Sequence, residues 1–253
     1  MKLKPYTILK HEYAGEKRAW VIGAGTSLYY EWMQCTDRNK IFDDLVISVN
    51  SSIWTMPWFE DGEHPNKLIK EEIKSDRRKR VWLSNDSLAR IWGYWPHLRS
   101  KRCKCVRIVR DSWKPYYNEL HEDDLYFSPR KTAEDIIDPG EENLAYCSSV
   151  PSGIDFAIQM SCKEVMVLGL DHYFLPDGKS HFWQLLEKRF QPIRQDRGMT
   201  PLHMQKEVFE KYNNKAFKAL ENFAKIKRTK ILNCSPLSHV DVFEKTSFQD
   251  IIK

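Results

Sequence analysis

Ala19-Trp20-Val21-Ile22-Gly23-Ala24-Gly25-Thr26-Ser27-Leu28 begins with a short apolar run that breaks on two closely spaced glycines. Beyond the break, Leu28, Tyr29, Trp32 and Met33 recur at helical spacing, so the stretch predicts a strand, a tight turn and a helix. Gly23 and Gly25 allow the backbone to approach a phosphate and to hold it at the N-terminus of the helix, where free N–H groups and the dipole favour an anion. Ser27 adds a hydroxyl to that turn. The third glycine of the dinucleotide fingerprint is replaced by Leu28, which argues against NAD, and the full P-loop pattern of a glycine, four residues and Gly-Lys-Ser/Thr is absent.

The same grammar repeats downstream. Leu45 to Val49 is a β-branched run closed by Asn50-Ser51-Ser52, and Arg80 to Leu83 is another, closed by Ser84-Asn85-Asp86-Ser87. Cys105 to Val109 reads as a fourth strand, followed by an irregular stretch from Asp111 to Asn143. Ser148 to Gly153 opens a helix through Ile154, Ala157, Ile158 and Ser161, and Glu164 to Gly169 reads as a buried central strand ending in Asp171-His172-Tyr173. From Phe174 the chain is aromatic, basic and broken by Pro176, Gly178, Pro192 and Gly198, which predicts a lid-like insertion over 174–203. Met204, Val208, Tyr212, Ala216, Leu220 and Phe223 predict a long amphipathic helix, and Lys230 to Asn233 a last strand. Alternating strands and helices give an α/β fold. It is expected to be one Rossmann-like domain over 1–253, a doubly wound, mostly parallel sheet with helices on both faces.

Composition bounds the rest. No apolar run approaches the roughly 18 to 20 residues of a membrane-spanning helix, and no apolar stretch follows the first lysines, so the expectation is a soluble, cytoplasmic protein. Six cysteines in a chain of 253 residues do not suggest a disulfide framework, and Cys103-x-Cys105 lacks the spacing of a zinc knuckle. The net charge of +5 is concentrated at Arg77 to Arg80 and from Arg99 to Arg110. Those clusters suit either a solvated surface or a phosphate-bearing partner. Trp54, Trp58, Trp82, Trp92 and Trp95 nearby are either core residues or stacking surfaces for nucleic acid.

In an open parallel sheet, ligands lie beyond the carboxyl ends of the strands, at the switch point, and the polar residues here gather at those ends. Asn50 and Asn85 offer amides for ribose or base edges, or serve as Asx-turns and caps. Ser152 and Gly153 form a second anion site or a plain helix start. Asp171, His172, Tyr173 and His181 bring a carboxylate, two imidazoles and a phenol together, a set able to move protons or hold an acceptor, with no spacing that singles out a metal. His203, before the long helix, is a further candidate base.

Taken in order, Val21 to Leu28, Ser48-Val49-Asn50, Leu83 to Leu88, Pro151-Ser152-Gly153, Val167 to Tyr173 and Asn233 to Pro236 resemble a Rossmann-like superfamily. It contains the bacterial CMP-sialic-acid-dependent sialyltransferases and the 6-hydroxymethylpterin diphosphokinase-like proteins. The resemblance implies nucleotide binding by the Gly-x-Gly turn with Asn50, Asn85, Ser152 and Gly153, Tyr173 near the phosphate, and a lid beginning at Phe174. His181 falls where those enzymes place a second phosphate-binding tyrosine. The sequence departs at Ala24, where an asparagine is expected, and at Ser149, where an arginine is. The expectation is a glycosyltransferase with a nucleotide-sugar donor, a hydroxyl acceptor, a histidine base (His181, His172 or His203) and no tightly bound cofactor. The basic segments allow that acceptor to be anionic, a glycan or a nucleic acid. The alternatives are an ATP- and Mg²⁺-dependent pyrophosphokinase, with Asp171 on the metal, and a non-catalytic protein that binds nucleotides or nucleic acid.

Overall fold

Every residue from Ala19 to Ile22 is buried, and strand alternation sends Trp20 and Ile22 to one face of a sheet and Ala19 and Val21 to the other. A strand apolar on both faces needs cover on both sides, the condition of a central parallel strand. In the computed structural model this strand, β1 (Arg18–Ile22), pairs in parallel with β2 (Leu45–Val49) on one side and with a strand far along the chain, β6 (Glu164–Leu168), on the other. The structure describes residues 4–58, 77–86, 92–100, 103–111, 120, 125–129, 138–144, 146, 148–186, 207 and 209–253. Ser87 and Leu88, residues 187–203 of the predicted lid with His203, and Met204 and Val208 of the predicted long helix lie outside them.

Beyond β2 follow β3 (Arg80–Ser84), β4 (Val106–Arg110) and β5 (Leu125–Ser128), and beyond β6 follow β7 (Lys230–Asn233) and β8 (Glu244–Lys245). Among the described residues the order is β5-β4-β3-β2-β1-β6-β7-β8, eight strands, every pairing of named strands parallel. The winding reverses between β1 and β6. Two elements go beyond the sequence reading. β5 falls inside the stretch from Asp111 to Asn143 that reads as irregular, and β8 is a two-residue edge strand.

The two faces are covered differently. Ala19, Val21, Ile47 and Val167 meet the apolar sides of α2 (Ser149–Gln159) and α3 (Asn214–Lys227), through Ile154, Phe156, Phe217 and Leu220. A Cβ on Gly153 would fall 2.8 Å from Val21 Cγ1, so glycine there lets α2 lie close on β1. The opposite face carries 3-10 and π-helical turns, the one-turn helix α1 (Trp95–Leu98) and a short C-terminal helix, α4 (Phe248–Ile252). They enclose Trp20, Trp32, Trp54, Trp58, Trp82 and Trp95. Those tryptophans are buried and so offer no stacking surface to nucleic acid; of the five near the basic segments, Trp92 alone is half-buried. Within the basic segments, the Arg107 guanidinium is buried and donates to the carbonyls of Leu98, Cys103 and Cys105. No helix among the described residues is long and apolar enough to cross a membrane.

Candidate active site

A cleft of about 320 Å³ opens at the carboxyl ends of β1 and β6, where the winding reverses. Ligands of doubly wound sheets collect at this place because the loops from the two halves diverge there. Its floor is built by an approach of two backbones. Gly23 N–H donates to the Leu168 carbonyl (2.7 Å) and Gly25 N–H to that of Gly169 (2.9 Å). A Cβ on Gly23 would lie 2.5 Å from the Gly169 oxygen, and one on Gly25 2.6 Å from the Asp171 carboxyl carbon. The two glycines therefore make room for β6's loop, and of the pair only Gly25 lines the cleft.

Asp171 is 4% exposed and its carboxylate is already engaged. Oδ2 accepts from the Thr26 hydroxyl (2.9 Å) and the Ser27 N–H (2.7 Å), and Oδ1 accepts from the Ser27 hydroxyl. This ties the end of β6 to Thr26 and Ser27, the residues that lead into the π-helical turn Leu28–Met33. Ser27 is buried and faces Asp171 and Ser235 instead of the cleft.

The N-terminus of α2 opens into the cleft. Ser148, Ser149 and Val150 line it, no side chain caps the helix and no acidic residue stands in its first turn. Ser148 instead donates to Asn213 Oδ1 (3.0 Å), from the π-helical turn Phe209–Asn213 ahead of α3. Asn50 closes the wall beside it, held at φ 51°, a left-handed conformation that asparagine tolerates better than most residues. The hydroxyls of Ser84 and Ser149 each accept a backbone N–H, from Asp86 and Asn85, so their own hydrogens go to Asn50 Oδ1 at 2.8 and 3.0 Å. With Oδ1 fixed inward, the Nδ2 donors are left for whatever fills the cleft.

Asn85, Ser152 and Gly153 do not line it. The Asn85 amide donates to the carbonyls of Leu144 (2.9 Å) and Tyr146 (3.3 Å) and to the Ser152 hydroxyl, while Ser152 donates to Leu144 (2.6 Å). These residues clamp the segment before α2.

The opposite wall carries His172, Tyr173, Phe174, Ser180 and His181. His172 has φ 44° and its ring lies against Phe217. The Tyr173 ring packs edge-on to His239 at 5.2 Å. The chain turns back at Gly178, where Lys179 pairs with Asp177 (2.8 Å), and is stapled to the glycine turn by a bridge between His181 and Gly25 and by the Phe182 N–H on the Ala24 carbonyl (3.0 Å). Gln184 Oε1 accepts the N–H groups of Ser180 and His181, and the His181 Nδ1 lies 2.8 Å from the Ser180 hydroxyl. Burial, helped by the neighbouring His181, pushes the His172 imidazole down to about 4, and burial does the same to His181. Both rings are therefore neutral near pH 7.

Of the residues expected from sequence, Gly25, Asn50, Asp171, His172, Tyr173 and His181 meet in one cleft. Ser148, Ser149, Ser180 and Asn213 join them unannounced. Among the described residues no group of three His, Cys, Asp or Glu side chains is arranged to hold a metal ion.

No protein-family model matches the chain, and no curated protein does. Solved structures do. The monofunctional α-2,3-sialyltransferase Cst-I from Campylobacter jejuni is 12% identical with a TM-score of 0.50, over 90% of this chain and 80% of that one. The sialyltransferase CstII from Campylobacter jejuni, in complex with the substrate analogue CMP-3FNeuAc, is 16% identical with a TM-score of 0.49, over 91% of this chain and 86% of that one. Over some nine-tenths of its length, the chain is structurally similar to Cst-I and shares its Rossmann-like α/β fold.

Proposed function

We propose that the cleft is the donor site of a glycosyltransferase, which moves a sugar from a nucleotide-sugar to a hydroxyl acceptor. The observation that carries this reading is the uncapped N-terminus of α2 facing the same space as the Asn50 amide. Together they offer backbone and side-chain donors to a phosphate, and the helix dipole adds to the attraction. Donors fixed in advance also favour the charge that grows on the phosphate as the sugar leaves. The Tyr173 hydroxyl is a further donor on the facing wall.

His181 is the base in this scheme. In this scheme Nδ1 carries the ring proton and donates it to the Ser180 hydroxyl, which leaves Nε2 unprotonated and able to take the acceptor's proton. A ring whose acid form has a pKa of about 4 is a weak base while the cleft is empty. A phosphate bound nearby raises its proton affinity, because an opposite charge favours the imidazolium. Base strength is in this way coupled to donor binding. Asp171 does not take the metal-holding role of a pyrophosphokinase in this scheme, since both its oxygens already accept from Thr26 and Ser27.

The fold's relatives make cytidine nucleotides the first ligands to try. The test is a melting-temperature screen against CMP, UDP, GDP, ADP and ATP and their sugar conjugates, with and without Mg²⁺. A ligand at 100 times its Kd adds about 2.7 kcal/mol, or roughly 5 to 10 °C for a chain of this size. Metal-independent stabilisation by a nucleotide, with turnover of its sugar conjugate that falls about 10²- to 10⁴-fold in His181→Gln, supports the scheme. Stabilisation by ATP only with Mg²⁺, or full turnover in the variant, removes it.

A further inference from the structure

α3 has two faces of opposite character. Ala216, Phe217, Leu220 and Ala224 are buried. Lys215, Lys218, Asn222, Lys225 and Ile226 are exposed, and their spacing of three and four residues gathers them in one stripe along the outside of the helix. Lys211 extends the stripe at its start, and Lys227, Arg228 and Lys230 add exposed cations at its end.

Acidic residues offset little of this. Glu221 pairs with Lys225 (2.8 Å) and Glu244 with Lys230 (3.0 Å), while Glu207 and Glu210 precede the helix. Among the described residues, Lys215, Lys218, Lys227 and Arg228 have no carboxylate within ion-pair distance. In the midst of these charges Ile226 is 77% exposed.

A straight basic stripe with an apolar side chain projecting from it suits a flat anionic surface that also has an apolar layer beneath. A lipid bilayer supplies both: lysines stay at the level of the headgroup phosphates and the isoleucine reaches the acyl boundary. Nucleic acid offers the phosphates but nothing to cover Ile226. We propose that the outer face of α3 docks this protein on bilayers that carry anionic lipids, with Ile226 entering the interface. Because the turn that leads into α3 ends at Asn213, on the cleft wall, a helix lying flat on the membrane holds one end of the cleft close to headgroup height. The docking face stands whatever reaction the cleft performs.

The test is co-sedimentation of the full chain with vesicles of phosphatidylcholine alone or with about one third phosphatidylglycerol, at low and high salt. The expected result is binding to the anionic vesicles only, lost at high salt. Each lysine near such a surface is worth about fivefold in partitioning, so Lys215→Gln with Lys218→Gln should weaken binding about 25-fold without moving the melting temperature. Ile226→Ala should weaken it while leaving the salt dependence in place. Equal binding to neutral vesicles, no binding to anionic ones, or full binding by the double variant overturns the proposal. So does retention of duplex oligonucleotide in place of vesicles. None of these outcomes depends on nucleotide binding in the cleft.

Discussion

Asn50 and Asn85 stand at equivalent points of the sequence, each directly after a strand with small polar neighbours, yet the fold uses them differently. Asn50 keeps its Nδ2 donors for the cleft, whereas Asn85 has turned inward to the carbonyls ahead of α2. Asn50→Asp preserves the acceptor for Ser84 and Ser149 but replaces the donor with a negative charge. It should weaken nucleotide binding by about ten- to a hundredfold with little change in melting temperature. Asn85→Ala strands buried carbonyls and should lower stability by about 2 to 3 kcal/mol with nucleotide affinity intact. Calorimetric titration and thermal melts on both variants separate the two roles, and the reverse pattern would reassign them. The sequence shows that a small polar residue ends a strand, but its partner can be a ligand or the next loop. Ser27 and Ser152 illustrate the ambiguity: both found protein partners. Ser149 and Asn213 reached the cleft with no distinguishing neighbour in sequence, the first as the opening residue of α2, the second through a π-helical turn.

At the scale of elements, the wall from His172 to Leu186 has a pH dependence that follows from its two depressed histidines. Above about pH 6.5 both folded and unfolded chains hold these rings neutral. Between there and about 4 the unfolded chain binds protons that the folded chain refuses, so their contribution to stability is lost as pH falls. Asp155 works in the opposite sense. Burial raises its carboxyl to about 6, although Tyr146, Gln159 and Gly140 donate to it, so below that pH the folded chain takes up a proton first. Melting temperatures from pH 8 to 4.5 should therefore fall more steeply in the wild type than in His172→Gln/His181→Gln, a comparison in which Asp155 cancels. Parallel slopes would show that the histidines are not held neutral. The central elements were legible because each is a continuous apolar run closed by a turn signal. β5 was not, since Leu125 to Ser128 is only four residues between acidic residues and Pro129, and its pairing with β4 comes from tertiary contact.

At the scale of the whole molecule, the sheet formed by the described residues ends in two edge strands, β5 and β8. The outer side of β5 meets the N-terminal segment, through the Phe127 N–H on the Lys4 carbonyl (2.9 Å). β8 is short and charged, with Glu244 bonded to Lys230 and Lys245 to Asp241, features that discourage pairing with another chain. Glu244→Val with Lys245→Val should leave melting and nucleotide binding nearly unchanged but cause association at rising concentration, read by light scattering. A variant that stays monodisperse would show that the edge needs no guard.

β1 is the strand at which this order matters in time. Its partner β6 follows only after roughly 150 more residues, some 7 to 30 s of synthesis on a ribosome adding about 5 to 20 residues each second. During that interval the backbone groups of Ala19 to Ile22 that later face β6 have no strand to bond. Until β6 arrives this edge is open to pairing with other strands, and the cleft comes into being only when β6 closes it.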